Sequence, residues 1–544
     1  MIYFLLPNVN TNIYKYIDCV FSEIPPEITI SNSLSHYLFE IKNKIKQYEN
    51  DWNDYKKYTN PYEFINTIIP GKNKCVSKYK PLSRSYFKMI EILQFLIYNL
   101  REPSYTQEDD YLDQEDGEIL SQTLPINLQQ STPIRTFHLA EGPGGFIEAT
   151  ANMRNNSDDI YYGMTILDDA ENNKIYSLPE VQEKGMNVPG WKKTEAFLRS
   201  HPNVILEHGA DKTGNILSME NFLYCREKYG GSMDLITGDG GFDFSVDFNN
   251  QETNISALLF AQVCYAICLQ KQGGYFILKI FDCFMDHTVD ILYILSSLYE
   301  KVYISKPQTS RYANSEKYII CKNFLVANND IVFPYFKNTL YKILNPTPNI
   351  ASSIPCNNLY IRRFLNISIP IFYIYKIEEY NAIFGQQQIE NIYQTIILIE
   401  NTGNYRFLKS SSRNGFSRSF KKNCTIRNNT ISKQSIEDSQ TKISLDNSNI
   451  IDTSDSCKTN DDYSILNDKK SSTGELSKTS QKWARDYDDK KHEDNIECSI
   501  SQSFCNSRSK NMLHPKMENI IRSNIQKCIQ WCIKHNIAYY NYND

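Results

Sequence analysis

Between Arg135 and Phe324, seven apolar, β-prone runs alternate with segments of helical periodicity, and this alternation limits the fold more than any other feature of the chain. The runs are RTFHLAE (135–141), DIYYGMTI (159–166), NVILEHG (203–209), MDLITGD (233–239), GGYFILKIF (273–281), KVYISKP (301–307) and EKYIICKNF (316–324). Helices are expected at FIEATANMR (146–154), ISALLFAQVCYAICLQ (255–270) and TVDILYILSSLYE (288–300). Parallel strands need crossovers of about this length, so the expectation is an α/β protein whose sheet is parallel and covered by helices on both faces.

The first strand runs into AEGPGGF (140–146), three glycines and a proline ahead of a helix. Glycine admits backbone conformations closed to other residues and lets a ligand approach the main chain. A turn at the carboxyl end of a sheet strand is where open α/β sheets bind ligands. No Lys-Ser/Thr follows, which argues against a P-loop, and the G-x-G-x-x-G spacing is missing. On these residues alone a tight structural turn stays open.

Three further positions carry chemistry. The run DLITGDGGF delivers Asp239 to the tip of a strand beside two glycines; its alternative is an Asx turn. Lys279 interrupts the apolar strand GGYFILKIF. A lysine there is costly unless it is paired or reaches a cleft, and an edge-strand gatekeeper is the other reading. Burial would depress its pKa and a nearby carboxylate would raise it. In KPQTSRYANSEKYIICK (306–322), Glu316 opens a strand behind Arg311, Asn314 and Ser315, polar groups suited to phosphate and sugar.

The rest of the 544 residues bounds the answer without sharpening it. No run nears the roughly 18 apolar residues of a membrane helix. The start, MIYFLLPNVN, lacks a basic signal-peptide region, so an intracellular, soluble protein with 14 reduced cysteines is expected. Cys264 and Cys268, like Cys528 and Cys532, lie four apart without a second pair nearby, and no metal site is expected. A formal net charge of -5 confines any nucleic-acid contact to local patches. The stretch 107–118 is acidic and reads as a solvated loop. Residues 409–512, rich in Ser, Asn, Asp and Lys, read as a disordered low-complexity tail, and 513–544 as a short C-terminal helix able to dock a protein partner.

Together these residues resemble the RrmJ/FtsJ superfamily of S-adenosylmethionine-dependent RNA 2′-O-methyltransferases. The likeness is greatest to the Adrift-type mRNA cap 2′-O-ribose methyltransferases, which have relatives in large DNA viruses. It covers roughly residues 55–325 and includes NPYEFI (60–65), AEGPGGF (140–146) and GMT (163–165). It implies a Rossmann-like methyltransferase sheet and a catalytic tetrad of Lys88, Asp239, Lys279 and Glu316. S-adenosylmethionine would be bound by Ala140, Glu141, Gly142, Pro143, Gly144, Gly145 and Phe146, with Asn215 and Ile216 of TGNIL on the adenine side. RNA, by implication capped mRNA, would lie across Lys56, Lys57, Arg84, Arg311 and Asn314; simple surface charge is the alternative for the two lysines. The sequence departs from the pattern in the acidic insertion and in Glu141, where some relatives carry a small residue. The implied layout is an N-terminal RNA- and cap-contacting lobe (1–80), a methyltransferase domain (81–325), an accessory lobe (326–408), the tail and the final helix. The implied reaction is methylation of the 2′-hydroxyl of the first transcribed nucleotide. Ribosomal or transfer RNA methylation, and a catalytically idle RNA-binding scaffold, are the alternatives.

Overall fold

All seven runs form strands. The computed structural model describes residues 1–9, 12–98, 132–167, 191, 194–241, 250–346, 359–413 and 515–542. Its strands are β1 (Ile2–Leu5), β2 (Ile17–Ser22), β3 (Arg135–Leu139), β4 (Ile160–Met164), β5 (Val204–Leu206), β6 (Met233–Gly238), β7 (Gln270–Ile280), β8 (Tyr299–Lys306), β9 (Lys317–Phe324) and β10 (Tyr360–Leu365). The helices that matter here are α1 (Asn32–Ile45), α2 (Glu49–Thr59), α3 (Ser85–Tyr98), α4 (Gly145–Arg154), α5 (Ser256–Leu269), α6 (Ile371–Arg413) and α7 (Pro515–Lys534).

Eight strands share one sheet in the order β1-β8-β9-β7-β6-β3-β4-β5, while β10 and β2 pair separately. From β7 to β5 neighbours run parallel, as expected. The other edge corrects the expectation: β9 lies antiparallel between β7 and β8, and β1 antiparallel against β8. The connection Pro307–Glu316 holds no helix, so it cannot make a parallel crossover and folds β9 back. Strand order reverses at β3, between β4 on one side and β6 on the other, and this opens a crevice at the carboxyl edge.

Alternate residues of the central strands bury on opposite faces. Ile236, Phe276 and Leu278 join one apolar cluster with α5, whose residues are nearly all buried. Leu235, Tyr275 and Ile277 join a second with Phe87 and Ile90 of α3 and with Cys528 and Trp531 of α7. Continuous apolar runs are what a sheet covered on both sides demands.

The lobes expected at 1–80, 81–325 and 326–408 fall, with 513–544, in one compact unit of residues 1–411 and 513–544. Within it α7 lies on the chain's own N-terminal region. Asn524 donates to the Tyr58 carbonyl at 2.9 Å, and Ser77 bridges to Tyr539. The Trp531 ring stands edge-on to Phe87, with centroids 5.6 Å apart. The segment expected to dock a protein partner thus packs on this chain's own N-terminal region. The expected tail lies outside the described residues beyond Arg413, as does the acidic stretch 107–118. No described helix is long and apolar enough to cross a membrane.

Trp531 is 2% exposed, so Trp531→Ala should destabilise the fold by about 3–5 kcal/mol. Urea denaturation checks this, and an unmoved midpoint would show that α7 contributes nothing to the unit.

Candidate active site

At the carboxyl edge of β3 the chain turns sharply through 140–146. Ala140 (φ 52°) and Gly144 (φ 107°) both occupy the left-handed region, which costs a side-chain-bearing residue roughly 1–2 kcal/mol. A Cβ on Gly144 would also lie 3.3 Å from Leu82 and 3.4 Å from Trp191. On Gly145 it would come within 2.2 Å of the Ser83 and Ser85 hydroxyls, so this glycine lets α4 approach the start of α3. Glu141 is buried, and its Oε1 accepts the Phe146 amide at 2.6 Å and the Ile147 amide at 3.2 Å, satisfying the helix start. Burial, with Asp239 nearby, pushes its carboxyl up. Phe146 is fully buried. The second expected loop lies beside the end of β4, where the Leu167 amide donates to the Thr213 carbonyl at 2.8 Å. There Asn215 Oδ1 accepts the Leu217 amide at 2.9 Å, and Ile216 is buried in the core.

Four distant sequence positions meet at this edge. Lys88, from the first turn of α3, places Nζ 2.7 Å from Glu316 Oε1 and 2.8 Å from Oε2. Lys279, from the last turn of pleat in β7, donates to the Asp239 carbonyl at 2.6 Å and lies 3.3 Å from Asp239 Oδ1. The four side chains are 13–18% exposed: largely desolvated, yet open to the crevice. Burial pushes Glu316 up, but Lys88, Lys279 and the Ser310 hydroxyl outweigh it and hold the carboxyl at about 2. Glu316 is therefore a carboxylate throughout the neutral range. The arrangement is two ammonium–carboxylate pairs, suited to orienting a hydroxyl and handling its proton.

A second ring of residues holds the first. The Tyr318 hydroxyl donates to Asp239 Oδ1 at 3.0 Å, and Ser310 Oγ donates to Glu316 Oε1 at 2.7 Å. Glu91 accepts the Gln308 and Thr309 amides at 2.8 and 2.9 Å. Glu63, with a side chain 2% exposed, pairs with Arg84 at 2.6 Å and Arg311 at 2.8 Å. The two arginines expected to face RNA thus spend much of their charge on one buried carboxylate, and Arg84 also donates to the Thr309 carbonyl at 2.8 Å. Lys56 donates to Asn53 at 2.6 Å, Lys57 lies 3.5 Å from Asp54, and Asn314 is exposed. Glu63 was visible inside NPYEFI. Nothing in the sequence tied it to Arg311, 248 positions away. Among the described residues no group of His, Cys, Asp and Glu could hold a metal, and the nine described cysteines are free and buried.

The sheet, with β9 reversed between β7 and β8 and a charged site at its carboxyl edge, defines a Rossmann-like α/β fold. The family model of the FtsJ-like methyltransferases matches residues 82–324. Among curated relatives, cap-specific mRNA (nucleoside-2′-O-)-methyltransferase 1 of Dictyostelium discoideum is 31% identical over 256 residues, covering 45% of this chain and 32% of the relative. The enzyme of the same name from Trypanosoma brucei brucei is 39% identical over 126 residues, 22% of this chain and 33% of the relative. Cap-specific mRNA (nucleoside-2′-O-)-methyltransferase 2 of Danio rerio is 28% identical over 284 residues, 51% of this chain and 35% of the relative. The chain thus spans about a third of the length of these relatives.

Glu63→Gln would strand two largely buried cations, at a cost of about 3–5 kcal/mol. Burial raises the Glu63 pKa, but Arg311 and Arg84 outweigh it and hold it at about 2. With the folded value depressed, its contribution is complete above the ordinary value near 4.5 and is lost as pH falls towards 2. Melting curves of the wild type should therefore fall more steeply through that window than those of Glu63→Gln. Parallel acid limbs would contradict the assignment.

Proposed function

We propose that the protein transfers a methyl group from S-adenosylmethionine to a ribose 2′-hydroxyl of RNA, at the first transcribed nucleotide of capped mRNA. The observation that carries this reading is the meeting of Lys88, Asp239, Lys279 and Glu316 in two salt-bridged pairs at the carboxyl edge of the sheet. The names of the relatives support capped mRNA over ribosomal or transfer RNA. The desolvated tetrad argues against an idle scaffold, because burying four charges serves no purpose in passive binding.

The donor belongs at the carboxyl-edge turn, where Gly144 takes φ 107° and Asp239, whose amide donates to the Leu139 carbonyl at 3.3 Å, presents a carboxylate beside the start of the turn. Ala140 to Phe146 would hold its methionine part, and the 215–216 loop its adenine side. When bound, it supplies a methyl group on a positively charged sulfur that is already an activated leaving group. The remaining work falls to the protein's own side chains. Lys279 first releases its ammonium proton to solvent and, as the amine, takes the hydroxyl proton through Nζ; Asp239 holds Lys279 in place, and the Lys88–Glu316 pair fixes the ribose oxygen for in-line attack. Asn314, Lys56 and Lys57 line the approach for RNA. Arg311, 31% exposed, can meet a phosphate while still paired, and Arg84 shapes the 307–316 segment beneath.

Lys279→Ala should reduce transfer by about 10²–10⁴-fold while calorimetry shows the donor still binding. Lys279→Arg should fail nearly as badly, because guanidinium stays protonated and can orient but not accept a proton. Near-normal turnover by Lys279→Arg would remove Lys279 as the base. Equal transfer to capped and uncapped RNA would remove the cap from the reading.

A further inference from the structure

We propose that Lys306 is a positioning residue for this reaction: from the end of β8 its amine ties down the carbonyls of Asn314 and Glu316, and so fixes where the Glu316 carboxylate meets Lys88. The inference rests on the ribose-methylation reading and adds to it a residue outside the tetrad.

Lys306 Nζ donates to the Asn314 carbonyl at 2.5 Å and to the Glu316 carbonyl at 2.9 Å. Both acceptors precede β9 and lie in the turn that brings Glu316 over the carboxyl edge. Carbonyls turned away from water need donors, and here a side chain supplies them. Neighbouring residues are gripped just as closely. Gln388 of α6 donates to the Ala313 carbonyl at 2.9 Å. Asp282 accepts from Ser315 Oγ at 2.9 Å and from Lys42 of α1 at 3.0 Å, and lies 3.4 Å from Lys317 Nζ. Five consecutive residues, Ala313 to Lys317, are therefore each anchored, at three places in the fold: Gln388, Lys306 and Phe281–Asp282.

The choice of lysine is informative because it is expensive. Lys306 is 5% exposed, and an apolar side chain of equal length would fill the space without desolvating an amine. Burial pushes its pKa down to about 7; Lys317 and Lys88 press the same way, while Glu316 and Asp282 oppose them. A group this costly beneath the catalytic carboxylate is explained by the two carbonyls it holds. Misplacing a catalytic group by about 1 Å costs on the order of 10²-fold in rate.

The test uses the full chain with Lys306→Met, similar in length but without a donor, and Lys306→Arg, which keeps donors. The expected result for Met is a kcat for methyl transfer to capped RNA lowered about 100-fold, with KM for RNA and calorimetric affinity for S-adenosylmethionine near wild type, and with Arg recovering much of the rate. Hydrogen exchange should quicken at the amides of 313–317 in Lys306→Met and stay unchanged in β6. Normal kcat for the Met variant, or joint loss of kcat, KM and donor affinity, would overturn the proposal. If the wild type transfers nothing to any RNA, the ribose reading fails, and exchange decides the tether alone: unaltered exchange at 313–317 overturns it.

Discussion

Four formal charges, Lys88, Lys279, Asp239 and Glu316, must be held mostly out of water at one edge of a sheet, and much of the surrounding structure answers to that demand. Each ammonium has a carboxylate partner within 3.3 Å. An unpaired charge in such a place would cost several kcal/mol. In the proposed reaction the pairs also supply the chemistry, since the same desolvation that makes them costly strengthens their hold on a hydroxyl.

Sheet topology explains how residues so far apart in sequence reach one place. β3, β6, β7 and β8 all end at the same edge, and reversal of β9 makes its beginning lie there as well. Glu316 stands at that beginning, and Lys88 arrives from α3, which packs with Ile277 of β7, Tyr303 of β8 and Ile320 of β9 on one face of the sheet. The segment Pro307–Glu316 would be a loose connection in most proteins. Here Glu91, Glu63, Asp282, Lys306 and Gln388 hold it from below and from the sides. The C-terminal helix extends the same support outwards, packing Trp531 on Phe87, the neighbour of Lys88.

The strands were legible because each is an apolar run bounded by polar or glycine residues, and their observed ends differ from the runs by only a few positions. The sign of Lys279 as an anomaly was legible for the same reason: a charge inside an apolar strand has few explanations. Antiparallel β1 was not, since MIYFLLPNVN is equally an exposed segment until β8 offers it an edge. The second ring was hidden too. Glu63 with Arg84 and Arg311, and Lys306 with Asn314 and Glu316, are pairings of charge and polarity that many residues could satisfy. Only the fold selects among them. Arginines 84 and 311 looked like phosphate ligands because the sequence shows their charge and not the buried carboxylate between them.

In the proposed reaction the methyl group ends on a ribose 2′-oxygen. Purified protein, labelled S-adenosylmethionine and two capped RNAs test it most directly, one with ribose and one with 2′-deoxyribose at the first transcribed nucleotide. Ribose 2′-O-methylation predicts label in the ribose substrate and none at that nucleotide in the deoxy substrate. Equal labelling of both would place the methyl group elsewhere and contradict it.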